Sequence, residues 1–141
     1  EKIRKILDVF CRAADEFCPK NPDLGWIANC VAEYRKTGVD GILRDCTELI
    51  FALSKKYDRR GRENAQFSLT FMALAAPTLG LGTCWAGIFE RLACHEEYMG
   101  PIAEAIGLPA DLTIQGVLMA GIPDITFRRL VERDPLQVEF K

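Results

Sequence analysis

The sequence predicts an α+β fold in which helices outnumber strands. Two amphipathic helical patterns open the chain, and a long apolar helical run over residues 65–79 fills its middle. Short alternating or β-branched stretches at 47–53, 112–120 and 136–140 are set around that run. The order is helix, helix, strand, helix, strand, short helices, strand, strand, with no internal repeat and no low-complexity tract.

Ile3, Ile6, Leu7, Phe10, Ala14 and Phe17 share one face of a helix over residues 2–17. Cys18-Pro19, Asn21-Pro22 and Gly25 break it into a loop. Trp26, Ile27, Cys30, Val31 and Tyr34 repeat the helical spacing as far as Thr37-Gly38. Gly41 to Asp45 then leads into 47–53, which reads as a buried strand. Residues 54–62 form a basic loop with Lys55, Lys56, Arg59, Arg60 and Arg62. A charge run of this kind reads as a solvated connector, the alternative being a seat for a pyridine-nucleotide phosphate.

In the middle run, Ala65, Leu69, Met72, Ala76 and Leu79 recur at helical spacing, and Phe67, Phe71, Leu74 and Ala75 fill the opposite face. A helix apolar all round is buried on all sides or spans a membrane. Gln66, Ser68, Thr70 and Pro77 interrupt this one, leaving it well short of the roughly 20 apolar residues a span needs. It is therefore expected to be a central core helix, or one buried between two subunits. Gly80 and Gly82 end it and allow close backbone approach. Thr83, Cys84 and Trp85 make a short extended piece, and Gly87 opens a tight turn. Short helices near 89–94 and at 101–106, the second closed by Gly107, lead to a strand at 112–120. A turn at Gly121-Ile122-Pro123-Asp124, an arginine-rich crossing at 127–134 and an alternating last strand at 136–140 complete the chain.

A length of 141 residues corresponds to a single domain able to bury a real core, and 49% hydrophobic with 27% charged residues is ordinary for a soluble globular protein. A net charge of −2 gives no global attraction to nucleic acid or to an anionic membrane. The cysteines are Cys11, Cys18, Cys30, Cys46, Cys84 and Cys94, with no C-x-x-C spacing and a single histidine, His95, to share a metal. Reduced, buried thiols in a cytoplasmic protein are the expectation, ahead of a disulfide framework or a zinc or iron–sulfur site. His95 and its neighbours Glu96 and Glu97 read as surface residues.

Three blocks carry a family resemblance: LAAPTLGLGTCWAG, GLPADLTIQGVLMAGIP and FRRLVERDPLQVEF. In this order and spacing, from about Gly41 onward, they resemble the C-terminal half of the nitroreductase family of FMN-dependent oxidoreductases. The resemblance implies a mixed, mostly antiparallel sheet with helices on both faces, a homodimer with FMN at the subunit interface, and a last strand that often joins the partner's sheet. An edge strand in its own sheet is the alternative for 136–140.

The resemblance also implies a site. Thr83, Cys84, Trp85, Ala86 and Gly87 would lie against the isoalloxazine ring, their backbone amides directed at N5 and O4. Trp85 is either a flavin neighbour or core packing. Cys84 has no base or cation beside it in sequence to activate a thiolate, so it is given no catalytic role. Arg133, two residues before Pro135, matches the family's phosphate-binding arginine, with Arg129 second and Arg128 third; a planar guanidinium holds two phosphate oxygens at once. A flavin enzyme needs no further nucleophile or metal, because the cofactor carries the chemistry.

One departure from the family matters. Its N-terminal Arg-Arg-Ser type segment and the Pro/Asn-rich segment after it are missing, and Arg59-Arg60-Gly61 lies in the wrong place to replace them. The chain is thus expected to be the C-terminal portion of a nitroreductase-like domain, its N-terminal part removed, or to have lost much of its FMN site. The activity implied is hydride transfer from NAD(P)H through FMN to a nitro, quinone or other small-molecule acceptor. Two alternatives stand beside it: a dimerisation or interaction domain that keeps the fold without flavin, and a flavin module fed by a ferredoxin-type domain.

Overall fold

The computed structural model describes residues 1–125, 132 and 134–139. Helix α1 spans Lys2–Phe17, and 3-10 turns at Cys18–Lys20 and Pro22–Leu24 carry the chain to α2, Gly25–Thr37. The prolines each sit in the first turn, where the missing N–H costs nothing. Helix α2 stops at Gly38, whose φ of 75° is the left-handed cap that a residue with a Cβ rarely adopts.

Between α2 and the sheet, Asp40 is buried and its carboxylate accepts the N–H groups of Ile42 (2.9 Å), Leu43 (2.8 Å) and Asp45 (3.3 Å). This clamp steadies a turn in which Arg44 and Asp45 both take positive φ, and it drives Ile42 and Leu43 into the core.

Strand β1 is Glu48–Lys55, β2 is Gly82–Trp85 and β3 is Leu112–Gly121. They form one sheet in the order β1-β3-β2, with both pairings antiparallel. The β1–β3 register slips between Ala52 and Leu53, leaving Gln115 as the extra residue of a bulge; its amide donates to Ser54 Oγ at 2.9 Å.

Helices cover both faces. On one, Leu7, Phe10 and Ala14 of α1 and Ile27 and Val31 of α2 gather with Phe89 and Leu92 of α4 (Gly87–Ala93), Ile102 of α5 (Gly100–Ile106), and Val117 and Met119 of β3. On the other lies α3, Gly61–Ala75, extended by a 3-10 turn at Ala76–Leu79. A Cβ on Gly61 would stand 2.3 Å from Ser54 Oγ, and one on Gly116 would stand 2.8 Å from Leu69 Cδ1. Glycine at both places lets α3 lie close on the sheet.

The expectation that this middle helix is buried on all sides needs correction for the single chain. Gly61, Ala65 and Leu69 are buried against the sheet, whereas Phe67, Phe71 and Leu74 on the outer face are 68%, 72% and 71% exposed, and Leu79 just beyond is 74% exposed. The sheet has one apolar surface to offer and the helix has two. Of the expected last strand, 136–140, residue 140 lies outside the described residues; residues 134–139 pair with no strand among the described residues of this chain, and Leu136 is exposed. Among the described residues, no helix is long and apolar enough to cross a membrane.

Candidate functional site

Strand β2 is short, sits at the edge of the sheet, and runs directly into α4. Ala86 closes the ladder by donating its N–H to Val117 O at 3.0 Å, then turns, its own carbonyl accepting Glu90 N–H at 2.9 Å to start the helix. Antiparallel ladders alternate, so with Ala86 paired to β3 the amides of Trp85 and Thr83 face away from β3. No other strand pairs with that edge among the described residues. Residues 83–87 thus combine outward backbone donors with a glycine that opens the following turn.

The ladder's missing acceptor is supplied by a side chain. Val117 N–H would ordinarily reach Ala86 O, which the helix has taken; it donates instead to Glu90 Oε1. The second carboxylate oxygen, Oε2, accepts Trp85 Nε1–H at 2.7 Å. Glu90 therefore ties the indole, the edge strand and the central strand together. Trp85 is 36% exposed and lies beside Gly116, where an added Cβ would be 3.7 Å from Cζ2. The Trp85 ring is pinned by Glu90, and the residue keeps about a third of its surface open.

The remaining expected residues divide. Thr83 is half-buried, Ala86 is fully buried, and Cys84 and Gly87 are exposed. Arg129 and Arg133, with Arg128, lie outside the described residues. Two groups were invisible to sequence reasoning. Glu90 looks like any solvated helical glutamate until its partners, Trp85 and the distant Val117, are placed. Arg62, read as part of a solvated connector, lines a cleft of about 250 Å³ with Gly87, Glu90, Arg91, Cys94 and His95.

All six thiols are free, but the expectation that they are buried holds only in part. Cys11 and Cys18 are buried, Cys30, Cys46 and Cys94 are half-buried, and Cys84, on the short edge strand β2, is exposed. Burial pushes Cys11 and Cys46 up to about 11, and burial with the nearby Glu90 charge pushes Cys94 up to about 12. Near pH 8 those three stay protonated and poorly nucleophilic. An alkylating agent should accordingly modify Cys84 first, and reach Cys11, Cys18 and Cys94 only on unfolding, as followed by peptide mass mapping. Early labelling of Cys94 in the folded protein would contradict its half-buried, protonated state at the C-terminal end of α4.

A nitroreductase family model matches residues 5–122. Comparison with curated proteins gives no match. Among solved structures, the crystal structure of a nitroreductase with bound FMN from Bacteroides fragilis is similar, with a TM-score of 0.63 at 14% identity. The alignment covers 94% of this chain and 66% of that one, so this chain spans just under two thirds of that protein's length. At such identity the likeness is one of fold, and it includes the antiparallel sheet with helices on both faces. The family model, covering most of the sequence, settles the relationship: the chain belongs to the nitroreductase family.

Proposed function

We propose that this chain is the ring-binding part of an FMN-dependent oxidoreductase that moves hydride from NAD(P)H to a nitro, quinone or similar small-molecule acceptor. The observation that carries the reading is the open-edged strip 83–87, in which the Thr83 and Trp85 amides face outward beside an indole fixed by Glu90. Neutral N–H donors beside a partly open aromatic ring suit a planar, carbonyl-bearing heterocycle, and the structurally similar nitroreductase holds FMN. Bound there, FMN supplies the two-electron chemistry. Thr83 and Trp85 would orient the ring through their amides, Glu90 would keep that edge rigid, and Arg133, backed by Arg129, would hold the phosphate. The six free thiols fit a cytoplasmic setting.

Purified intact protein should be yellow, with flavin absorbance that is lost on denaturation. A colourless protein that does not take up FMN would favour the non-catalytic interaction domain. Arg133→Ala should weaken FMN binding roughly ten- to a hundred-fold, from the 1.5–3 kcal/mol of a charge-assisted hydrogen bond. Riboflavin, lacking the phosphate, should bind mutant and parent alike. Equal loss of both ligands, or no loss of FMN, would pass the phosphate role to Arg129.

The proposal includes a homodimer in which the outer face of α3 is covered by a second copy. Phe67, Phe71 and Leu74 recur at helical spacing, and all three are more than two-thirds exposed in the single chain. Light scattering of the intact protein should give twice the chain mass, and Phe71→Asp should shift it to monomer. A parent protein that is folded and monomeric at micromolar concentration would refute this assembly.

A further inference from the structure

The cleft beside Gly87 carries more cationic groups than the fold uses. Arg62 reaches it from the first turn of α3, Arg91 from the last turn of α4, and His95 from just beyond α4. Neither arginine takes part in an ion pair or a side-chain hydrogen bond among the described residues, although Arg35, for comparison, is bidentate on Asp15 at 2.7 and 2.9 Å. The acidic residue that lines the same cleft, Glu90, has each carboxylate oxygen engaged by an internal donor, Trp85 Nε1–H and Val117 N–H. It is held by the sheet rather than by the arginines. The His95 ring is fixed as well: it stacks on Tyr98 with centroids 4.2 Å apart and 14° between planes, and its Nδ1 accepts Glu97 N–H at 3.3 Å. That bond leaves Nε2 as the protonated nitrogen, a donor.

Two unpaired guanidinium groups and an imidazole N–H donor share one concavity in a chain whose formal net charge is −2. Such a donor set matches an anion with several acceptor oxygens, because guanidinium forks bind carboxylate and phosphate through paired hydrogen bonds. At about 250 Å³ the cleft lies below the 300–1,000 Å³ typical of a whole-ligand pocket, so it suits one substituent of a larger molecule. Gly87 belongs both to this cleft and to the strip read above as the ring site.

We infer that Arg62, Arg91 and His95 form a subsite for the phosphate or carboxylate group of the small molecule that meets the ring site beside Gly87. The position relative to the ring rests on the flavin reading; the anion subsite itself does not. The shared chemistry has two sources, the phosphate of a pyridine nucleotide and the carboxylate of an aromatic acceptor.

The test separates these questions. In the intact protein, the imidazole resonances of His95, assigned through His95→Gln, are followed by NMR during titration with inorganic phosphate and, separately, with benzoate. Sodium chloride at matched ionic strength is the control. A saturable shift with either anion, absent with chloride, is expected. The affinity should fall about tenfold in Arg91→Ala and again in the R62A/R91A double variant, the low end for charge-assisted bonds at an exposed site. Arg91→Lys should retain part of it. No saturable shift, or a shift unaltered in the double variant, would overturn the subsite whether or not flavin is bound.

Turnover then assigns the source. If the acceptor supplies the anion, R62A/R91A should lower kcat/KM for 4-nitrobenzoate about tenfold and leave the uncharged 4-nitrobenzamide unchanged. If the reductant supplies it, the loss should appear with NADPH or NADH and be absent with the phosphate-free 1-benzyl-1,4-dihydronicotinamide. Equal losses for charged and neutral partners would overturn the substrate role. Failure to bind FMN, with the anion titration intact, would count against the flavin reading alone.

Discussion

Phe89→Ala should destabilise the protein by about 3–5 kcal/mol, the usual range for truncating a fully buried aromatic residue. Phe89 has no solvent exposure, stacks on Phe10 of α1 with ring centroids 5.3 Å apart, and meets Phe51 of β1 edge-on at 6.3 Å. One ring therefore joins α1, β1 and α4. Nothing beside it is free to collapse into the space, since Leu92, Ala93 and Val117 are themselves fully buried. Urea unfolding should show a lower midpoint with an unchanged slope. Phe89→Leu, which keeps more of the volume, should cost less. A useful contrast is Phe67→Ala on the outer face of α3: it should scarcely alter an isolated subunit but weaken a dimer. A loss below about 1 kcal/mol for Phe89→Ala would mean that the core is centred elsewhere.

The contrast between Phe89 and Phe67 also shows what the sequence can reveal. The first helix was legible to its ends because its apolar residues lie on one face and Cys18-Pro19 stops it. The extended piece at 83–85 and the strand near 112–120 were legible for similar reasons: glycines bound the first, and small and branched residues fill the second. The middle helix was harder. Its periodicity is that of a doubly covered helix, and the chain itself provides a cover on one side only. Local pattern cannot distinguish an apolar face left open in the single chain from one that packs in a core.

Site residues were less legible because their roles depend on neighbours far along the chain. Asp40 organises the turn before β1 through three backbone donors, yet in sequence it is one acid after a helix. Cys84 falls under the general expectation of buried thiols, yet it is exposed on the edge strand. Arg62 was read correctly as exposed; what sequence could not show is that α4 brings Arg91 and His95 alongside it.

Glu90 gives the strongest test of how the strip is built. Glu90→Ala should leave two N–H donors without their acceptor, Val117 N–H in the sheet and Trp85 Nε1–H at its edge. Leaving a buried donor unsatisfied costs about 1–3 kcal/mol. The indole is 36% exposed and can turn to water, so most of the cost belongs to Val117, and about 2 kcal/mol is expected in all. Glu90→Gln keeps one carbonyl oxygen and should satisfy one donor at a time, giving an intermediate loss. Stability alone would not distinguish the clamp from ordinary packing, so the indole N–H signals supply the second readout. The chain has two tryptophans, and only Trp85 should respond, its resonance moving in Glu90→Ala while that of Trp26 stays in place. FMN affinity should fall in the same variant, because the outward amides at 83–85 lose the tie that holds their edge. Replacing Gly116 with alanine should perturb the same corner from the opposite side, its new Cβ meeting Leu69, Glu90 and the indole together. An unshifted Trp85 signal with unchanged stability in Glu90→Ala would show that the carboxylate does not hold the strip. The rigidity of the ring site would then have to come from the β2–β3 ladder and the Ala86–Val117 hydrogen bond that extends it.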